Sequence, residues 1–381
     1  MSAAATLQEL PPVTTLRLVP NGDVSHAFVD VERLIATHHF ADAAVSLHAL
    51  WHDVRHDPEL ALRQRLALAW CSLYLGDLDE ASDALEHAEG IVRSPRFDAA
   101  DRAEVLFRQG CVALKRGSVG DATTLLTRSL ESNDRAPQPR SALAARAHEW
   151  RARCHVWRRD WDAATADVER SIKLATAAND VEAHANALFQ ASIATERQKQ
   201  WLLARCYAEQ ALALYTSLDN RLSVARVLNN LGGIDFLLGD VEAAEEALLG
   251  AIDAASEAAS DADLAQAVNS LAQVYLRADR PAEARARALR AVELLEGRTD
   301  FRDELGNAQL VIAGSYTAEG EQARAATWLA EAEETFASLG STSHLAAVWV
   351  AQGDLARAAG DVEAAADLYR QAADLLQDVH F

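Results

Sequence analysis

Proline and glycine are scarce in this sequence of 381 residues, which contains only 8 prolines and 17 glycines. Most of the glycines stand at regular intervals, and alanine and leucine supply most of the apolar half of the sequence. Residues that break helices are therefore rare, and residues that favour helices are common. This composition predicts an all-helical protein.

Basic residues are also few, since 36 lysines and arginines stand against 57 aspartates and glutamates and leave a formal net charge of −21. No run rich in lysine or arginine offsets this charge locally. An acidic chain of this kind repels phosphate backbones, so direct binding of nucleic acid is not expected.

Long apolar runs are missing. No stretch is long enough to span a bilayer, and residues 1–20 lack a basic segment followed by an apolar core. We therefore expect a cytoplasmic protein that does not contact a membrane.

Cysteine is infrequent, and Cys71, Cys111, Cys154 and Cys206 form no C-x-x-C pair. The spacing therefore predicts neither a zinc site nor a redox pair. We expect all four to be small buried helix residues in a reducing compartment.

Motifs that carry catalysis are absent too. The sequence contains no G-x-S-x-G, no phosphate-binding loop and no G-x-G-x-x-G. We predict that the protein is not an enzyme and needs no cofactor.

Three histidines, His48, His52 and His56, recur at i, i+4 and i+8. On one helix face they would form either a metal site or a polar, solvated helix end. The segment lacks the H-E-x-x-H form, so no metal is predicted.

The sequence does contain a repeat of about 40 residues. The segments LGDLDEASDALEHA at 75–88, LGDVEAAEEALLGA at 238–251 and AGDVEAAADLYRQA at 359–372 share one template. An alanine stands five residues after the turn glycine, an apolar residue stands four later, and a small residue stands seven later. The template places an anchor alanine at Ala43, Ala81, Ala122, Ala164, Ala204, Ala244, Ala284, Ala325 and Ala365.

Other positions of the repeat alternate between small and bulky residues. The residues twelve before and seven after the anchor are small in all repeats but the first, which suits two helices that cross closely. The residue three before the anchor is usually bulky and can fill the turn. This alternation resembles the tetratricopeptide repeat (TPR) family over residues 25–381. The unit is about six residues longer than the usual 34, and in this it is similar to the arrays of bacterial TPR signalling receptors and regulators.

The resemblance implies a right-handed TPR-like α-solenoid of about nine helix-turn-helix repeats over residues 25–381. One hairpin cannot bury its apolar face and needs a neighbour on each side. Residues 1–24 are expected to form a disordered or extended tail.

In TPR arrays the first helix of each pair lines a concave groove, so the resemblance also selects candidate groove residues by their offset from the anchors. They are Arg146, Glu149, Arg153, Asn186, Phe189, Arg226, Asn229, Gln266, Asn269, Gln273 and Asn307. A carboxamide both donates and accepts, so a row of them can bind the backbone of an extended peptide. The arginines would favour an acidic peptide or a free C-terminus. The alternative is that these are ordinary solvated residues on helix faces.

Three functions remain open at this point. The first is a signalling receptor or adaptor that holds a peptide or a disordered segment of a partner. The second is an assembly scaffold. The third is the sensor part of a transcriptional regulator or cyclic-dinucleotide synthase whose output domain is elsewhere, because residues 1–24 are too short for a DNA-binding domain.

The C-terminal edge of the array is apolar, with Leu368, Leu375, Leu376, Val379 and Phe381. A homodimer, a partner or a bend of the tail would cover it. The alternative is an exposed edge of no consequence.

Overall fold

The computed structural model describes residues 24–37, 39–298 and 301–377, and these residues form eighteen α-helices with no strand among them. Consecutive helices pair into nine hairpins, which confirms the predicted all-α class and the repeat number. We call the odd-numbered helix of each hairpin the first helix and the even-numbered one the second helix. The predicted tail lies outside the described residues except for Val24, where α1 begins.

The bounds of the helices follow the repeat. The first helices are α1 (Val24–Ala36), α3 (Pro58–Leu75), α5 (Ala99–Lys115), α7 (Ser141–Trp157), α9 (Val181–Arg197), α11 (Arg221–Leu238), α13 (Asp261–Arg277), α15 (Arg302–Ala318) and α17 (Thr342–Ala358). The second helices are α2 (Phe40–Val54), α4 (Leu78–Val92), α6 (Val119–Asp134), α8 (Trp161–Ala178), α10 (Trp201–Ser217), α12 (Val241–Glu257), α14 (Pro281–Leu295), α16 (Gln322–Ser338) and α18 (Val362–Gln377).

The chain divides into two compact units. Unit 1 ends at Asp180 and contains α1 to α8, and unit 2 begins at Val181 and contains α9 to α18. Each unit is described by itself below. The expectation of one continuous array over residues 25–381 stays a prediction.

The anchor alanines lie in the first turn of the second helices, inside the hairpins. All nine are buried, and none is more than 3% exposed. Every second helix begins three residues before its anchor, at the position that is usually bulky. Five residues before the anchor, the turn residue adopts a positive φ in every described repeat, as in Gly239 (φ 86°) and Lys199 (φ 60°). This left-handed residue reverses the chain between the two helices.

Small residues let the two helices of a hairpin cross closely. A Cβ added at Gly232 would lie 2.4 Å from Cγ of Leu248 on the paired helix. Two serines at the small position seven after the anchor also hold the hairpins by hydrogen bonds. The hydroxyls of Ser129 and Ser171 each donate to a first-helix carbonyl at 2.7 Å.

First helices and second helices are arranged differently within each unit. Consecutive first helices contact one another from α3 to α7 in unit 1 and from α9 to α17 in unit 2. Consecutive second helices make at most isolated contacts among the described residues. The first helices therefore form the tighter, inner layer of each unit, and their solvent-facing sides line a groove.

The two kinds of helix differ strongly in charge. The nine first helices carry 15 lysines and arginines and 14 aspartates and glutamates, whereas the nine second helices carry 9 and 27. The acidity of the chain is thus concentrated in the outer layer, and the layer that lines the grooves is nearly neutral.

The cysteine prediction is correct for Cys71, Cys111 and Cys154, which are buried, but wrong for Cys206, which is exposed. The residue lies one position after Arg205 and two after the anchor Ala204, on the outward side of α10. Burial raises the pKa of the Cys71 thiol to about 12. None of the helices in the described part of the chain is long and apolar enough to cross a bilayer.

Candidate functional site

Eight of the predicted groove residues lie on consecutive first helices of unit 2. They are Asn186 and Phe189 on α9, Arg226 and Asn229 on α11, Gln266, Asn269 and Gln273 on α13, and Asn307 on α15. Because α9, α11, α13 and α15 contact each other in that order, these residues lie on neighbouring helices of the inner layer. On a single helix, residues three and four apart share a face. Asn229 therefore lies on the face of Arg226, and Asn269 lies on the face of Gln266 and Gln273.

Two asparagines at the same position of neighbouring repeats lack partners. Oδ1 of Asn229 and Oδ1 of Asn269 are both buried and accept no hydrogen bond. Asn269 is only 4% exposed as a whole residue. A buried acceptor without a partner costs about 1–3 kcal/mol, so such groups are rare unless something else binds them.

Three more carboxamides lie beside this pair. Gln266 and Gln273 are exposed, Asn307 is half-buried, and none of the three is hydrogen-bonded among the residues that the structure describes. Together with Asn229 and Asn269 they form the carboxamide row, the name used below for these five residues. The row offers amide donors and carbonyl acceptors on three successive first helices.

Two other predicted residues of unit 2 are already engaged. The Arg226 guanidinium donates to both carboxylate oxygens of Asp263, at 2.7 and 3.2 Å. The side-chain oxygen of Asn186 accepts a hydrogen bond from the Tyr215 hydroxyl at 2.5 Å. Arg226 therefore ties one repeat to the next, and Asn186 ties α9 to its paired helix α10.

The three predicted residues of unit 1 lie on α7 and interact with their own surroundings. Arg146 donates to Asp180 at 3.1 Å, and Arg153 donates to Glu149 at 2.5 Å while lying 4.6 Å from the Trp150 ring centre. Burial raises the pKa of Glu149 despite the neighbouring Arg153 charge. This cluster has the features of internal packing, with a buried carboxyl held by one arginine.

Unit 1 has a groove cavity, and most of the residues that line it were not predicted from their positions in the repeat. A space of about 550 Å³ lies among α1, α3, α5 and α7, and Arg146 is the only one of the predicted groove residues that lines it. Trp70 forms its aromatic side, with ring centres 6.2 Å from those of Phe107 and Trp150. Its arginines are mostly paired, as in Arg63 with Glu32. Aromatic residues on first helices are a signal that would have found it.

The histidines that suggested a metal do not share one helix, because α2 ends at Val54 and His56 follows it. Nε2 of His48 lies 2.8 Å from Glu80, and His52 lies 3.5 Å from Asp53. No group of three or more His, Cys, Asp or Glu suited to a metal was found in the described segments.

Sequence comparison identifies part of the chain directly. A profile of the tetratricopeptide repeat matches residues 223–297, which contain the centre of the carboxamide row. A search among curated proteins finds no match.

Solved structures share the fold at low sequence identity. A Rap protein complexed with competence and sporulation factor is 15% identical, with a TM-score of 0.67 over 93% of this chain and 98% of that chain. The apo form of the quorum sensor NprR from B. thuringiensis is also 15% identical, with a TM-score of 0.67 over 93% and 99%. NprR in complex with its cognate peptide NprX is 14% identical, with a TM-score of 0.56 over 93% and 100%.

The repeat of helical hairpins, the profile match and the similar structures agree with one another. The lengthened unit does not change the close-packed positions that define the repeat, since all nine anchors are buried. On these findings residues 223–297 are a tetratricopeptide repeat, and the chain shares the helical-hairpin fold of the similar structures.

Proposed function

We propose that this protein is a peptide-binding module and that unit 2 holds an extended peptide, or a disordered segment of a partner, along the groove of its first helices. The observation that carries the proposal is the carboxamide row, in which five side-chain amides on α11, α13 and α15 make no hydrogen bond within the described chain. An extended peptide presents unpaired N–H and C=O groups at every residue. A carboxamide can bind both kinds of group at once.

Burial makes the row more than a set of solvated residues. Asn229 and Asn269 carry buried acceptors without partners, and asparagine also disfavours the interior of a helix. A ligand that supplies donors to these acceptors would offset the cost of leaving them without a partner. The two asparagines thus lower the stability of the free protein and raise its affinity for a peptide.

The charge of the groove layer fits a wide range of peptides. Because the first helices carry almost equal numbers of acidic and basic residues, the groove does not repel an acidic ligand as the second helices do. The Arg226 guanidinium is 45% exposed in its ion pair with Asp263. An acidic side chain or a free C-terminus can therefore approach this guanidinium from the groove.

Proteins of the same fold support a signalling role. The Rap protein and NprR were solved with a sporulation factor and a cognate peptide, respectively. We therefore infer a non-enzymatic receptor or adaptor that works in the cytoplasm of a bacterium. The alternatives are an assembly scaffold, which would use the same repeats without this row, and a sensor whose output domain is elsewhere.

The C-terminal edge is a second binding surface in this proposal. On α18, Leu368 and Leu375 are half-buried and Leu376 is 39% exposed, while Val379 and Phe381 lie outside the described residues. A second copy of the chain would cover this edge. Light scattering at increasing concentration tests it, with a dimer expected and a monomer at all concentrations as the contradicting result.

The groove proposal is tested by the double substitution Asn229→Ala and Asn269→Ala. The probe is a random hexapeptide library, and the readout is the affinity of the peptides that the unaltered protein selects. Loss of two or more hydrogen bonds should weaken binding by about tenfold or more. The variant should also melt at a higher temperature, because two unsatisfied acceptors are removed and alanine favours helices.

Gln371→Ala provides the matched control, because Gln371 is an exposed carboxamide on the second helix α18. It should leave peptide affinity unchanged. Equal affinity of the double variant and the unaltered protein would contradict the proposal, as would failure to select any peptide.

A further inference from the structure

A small cavity of about 210 Å³ lies between α11 and α13, one helical turn from Asn229 and Asn269, and Gln273 of the carboxamide row lines it. Its walls include Gly233, Phe236, Leu237, Gln273, Val274 and Arg277. Gly233 follows Asn229 by four residues, and Gln273 follows Asn269 by four, so the cavity and the two asparagines share the same helix faces. Ligand pockets for whole small molecules have volumes of about 300–1,000 Å³. This cavity is of a size for one side chain.

Packing does not explain the glycine in the cavity wall. Gly233 stands inside α11, and a Cβ built on it would meet no atom within 4 Å. Its neighbour Gly232 differs, since a Cβ there would collide with Leu248. A glycine inside a helix lowers stability, and one without a packing role indicates close approach of a ligand. Any larger residue at 233 would extend into the cavity.

A cation stands at the rim of the cavity. The Arg277 guanidinium lies 5.7 Å from the ring centre of Phe236, and Arg277 has no ion pair among the described residues. Many other arginines on first helices are paired, as Arg226 is with Asp263. The rim therefore holds a positive charge that is available to an anionic group beside an apolar floor.

We propose that this cavity takes one apolar side chain of the bound peptide, of the size of leucine or phenylalanine, and that Arg277 binds a carboxylate next to that side chain. This inference rests on the proposed peptide groove and adds its side-chain specificity. The carboxamide row binds the backbone of any peptide, whereas the cavity selects among peptides. The carboxylate comes either from an acidic side chain or from the C-terminus.

Two substitutions separate these roles. Gly233→Leu fills the cavity without replacing a residue of the carboxamide row, and Arg277→Gln removes the charge at the rim. Two variants are controls for the change in helix stability. Gly233→Ala replaces the same glycine by a small residue. Gly90→Leu introduces the same leucine inside α4, where an added Cβ also meets open space. Arg170→Gln, on the second helix α8, is the control for loss of an exposed charge.

The experiment selects hexapeptides from a random library with free C-termini, and from the same library amidated, on the full chain and on each variant. The unaltered protein should enrich leucine, isoleucine, methionine or phenylalanine at one position beside a carboxylate. Gly233→Leu should weaken those peptides by about tenfold or more, because burial of one apolar side chain is lost. Peptides with alanine at that position should bind it as well as before.

Arg277→Gln should remove the preference for the carboxylate, and the amidated library shows whether that carboxylate is the C-terminus. Phe236→Ala gives an independent check that does not depend on filling the cavity, since a wider cavity should favour larger side chains. If the variants select the same peptides with the same affinities as the unaltered protein, the cavity is not a specificity site while the groove proposal stands. If the unaltered protein selects no peptide, the groove proposal and this inference both fail.

Discussion

At the scale of single residues, two neighbouring carboxyl groups at the start of α15 respond to pH. Oε2 of Glu304 is buried without a partner, and burial together with the adjacent Asp303 raises the pKa of Glu304 to about 7. The pKa of Asp303 is lowered by its interaction with Glu304. The His344 side chain of α17 also lowers the pKa of Asp303. The pair therefore shares one proton near neutral pH.

The substitution Glu304→Gln tests this account. A glutamate has a pKa of about 4.3 in an unfolded chain, so the raised folded-state value means that protonation stabilises the fold. This contribution is fully present below about pH 4 and is lost as pH rises through 7. Glutamine keeps the shape without the charge. At pH 8 we expect the variant to be more stable by about 1–2 kcal/mol after allowance for solvent screening.

Urea unfolding at pH 4 and pH 8 measures the effect. The gain should shrink toward zero at pH 4, where the native glutamate is protonated in the folded state. Glu334→Gln is the control, since Glu334 is exposed on α16, and it should change stability by less than about 0.5 kcal/mol at both values. A gain of equal size at both pH values would contradict the account.

At the scale of a helix, α11 contains two adjacent glycines with opposite roles. Gly232 faces the paired helix, where an added Cβ would lie 2.4 Å from Cγ of Leu248. Gly233 faces open space. A methyl group added at Gly232 would therefore collide with the paired helix, whereas one added at Gly233 would not.

We expect Gly232→Ala to lower the free energy of unfolding by about 1–3 kcal/mol, because Leu248 and the helix must shift to admit the methyl group. Gly233→Ala should raise it by about 0.5–1 kcal/mol, because alanine restricts the unfolded chain and favours the helix. Chemical denaturation of the two variants checks both signs. Changes of the same sign would show that the helices are not packed as closely as described.

Much of this architecture follows from the sequence because the close contacts use one residue type at one spacing. Nine alanines mark the anchors, and a small residue marks the crossing, so the register of every hairpin could be predicted. The lack of hydrogen-bond partners at Asn229 and Asn269 could not be predicted from the sequence, although the positions of both residues in the repeat could. It depends on what surrounds each amide in three dimensions.

The arginines show most clearly what the position of a residue in the repeat cannot predict. Arg226 lies in the groove layer as the repeat predicts, yet its charge is bound by Asp263 at the start of the next first helix. Arg146 is bound in the same way by Asp180. Such pairs span 34 to 37 residues. They join residues about one repeat length apart, and the pattern within a repeat does not contain such pairs.

At the scale of the whole molecule, the nine hairpins separate their charges by layer. Second helices carry 27 of the acidic residues and only 9 basic ones, whereas first helices are balanced. The acidic layer favours solubility and repels other polyanions. The balanced layer holds the carboxamides. The chain thus directs neutral hydrogen-bonding groups to one side of each unit and net charge to the other.

The central claim is that a peptide binds along the first helices of unit 2, and hydrogen–deuterium exchange on the full chain tests it most directly. The probe is a peptide selected from the hexapeptide library, compared with cell protein above a few kilodaltons. We predict that the peptide slows exchange in residues 221–238 and 261–277, which carry most of the carboxamide row. Protection confined to second helices or to residues 362–377, and produced only by the protein fraction, would contradict the claim and indicate an assembly scaffold.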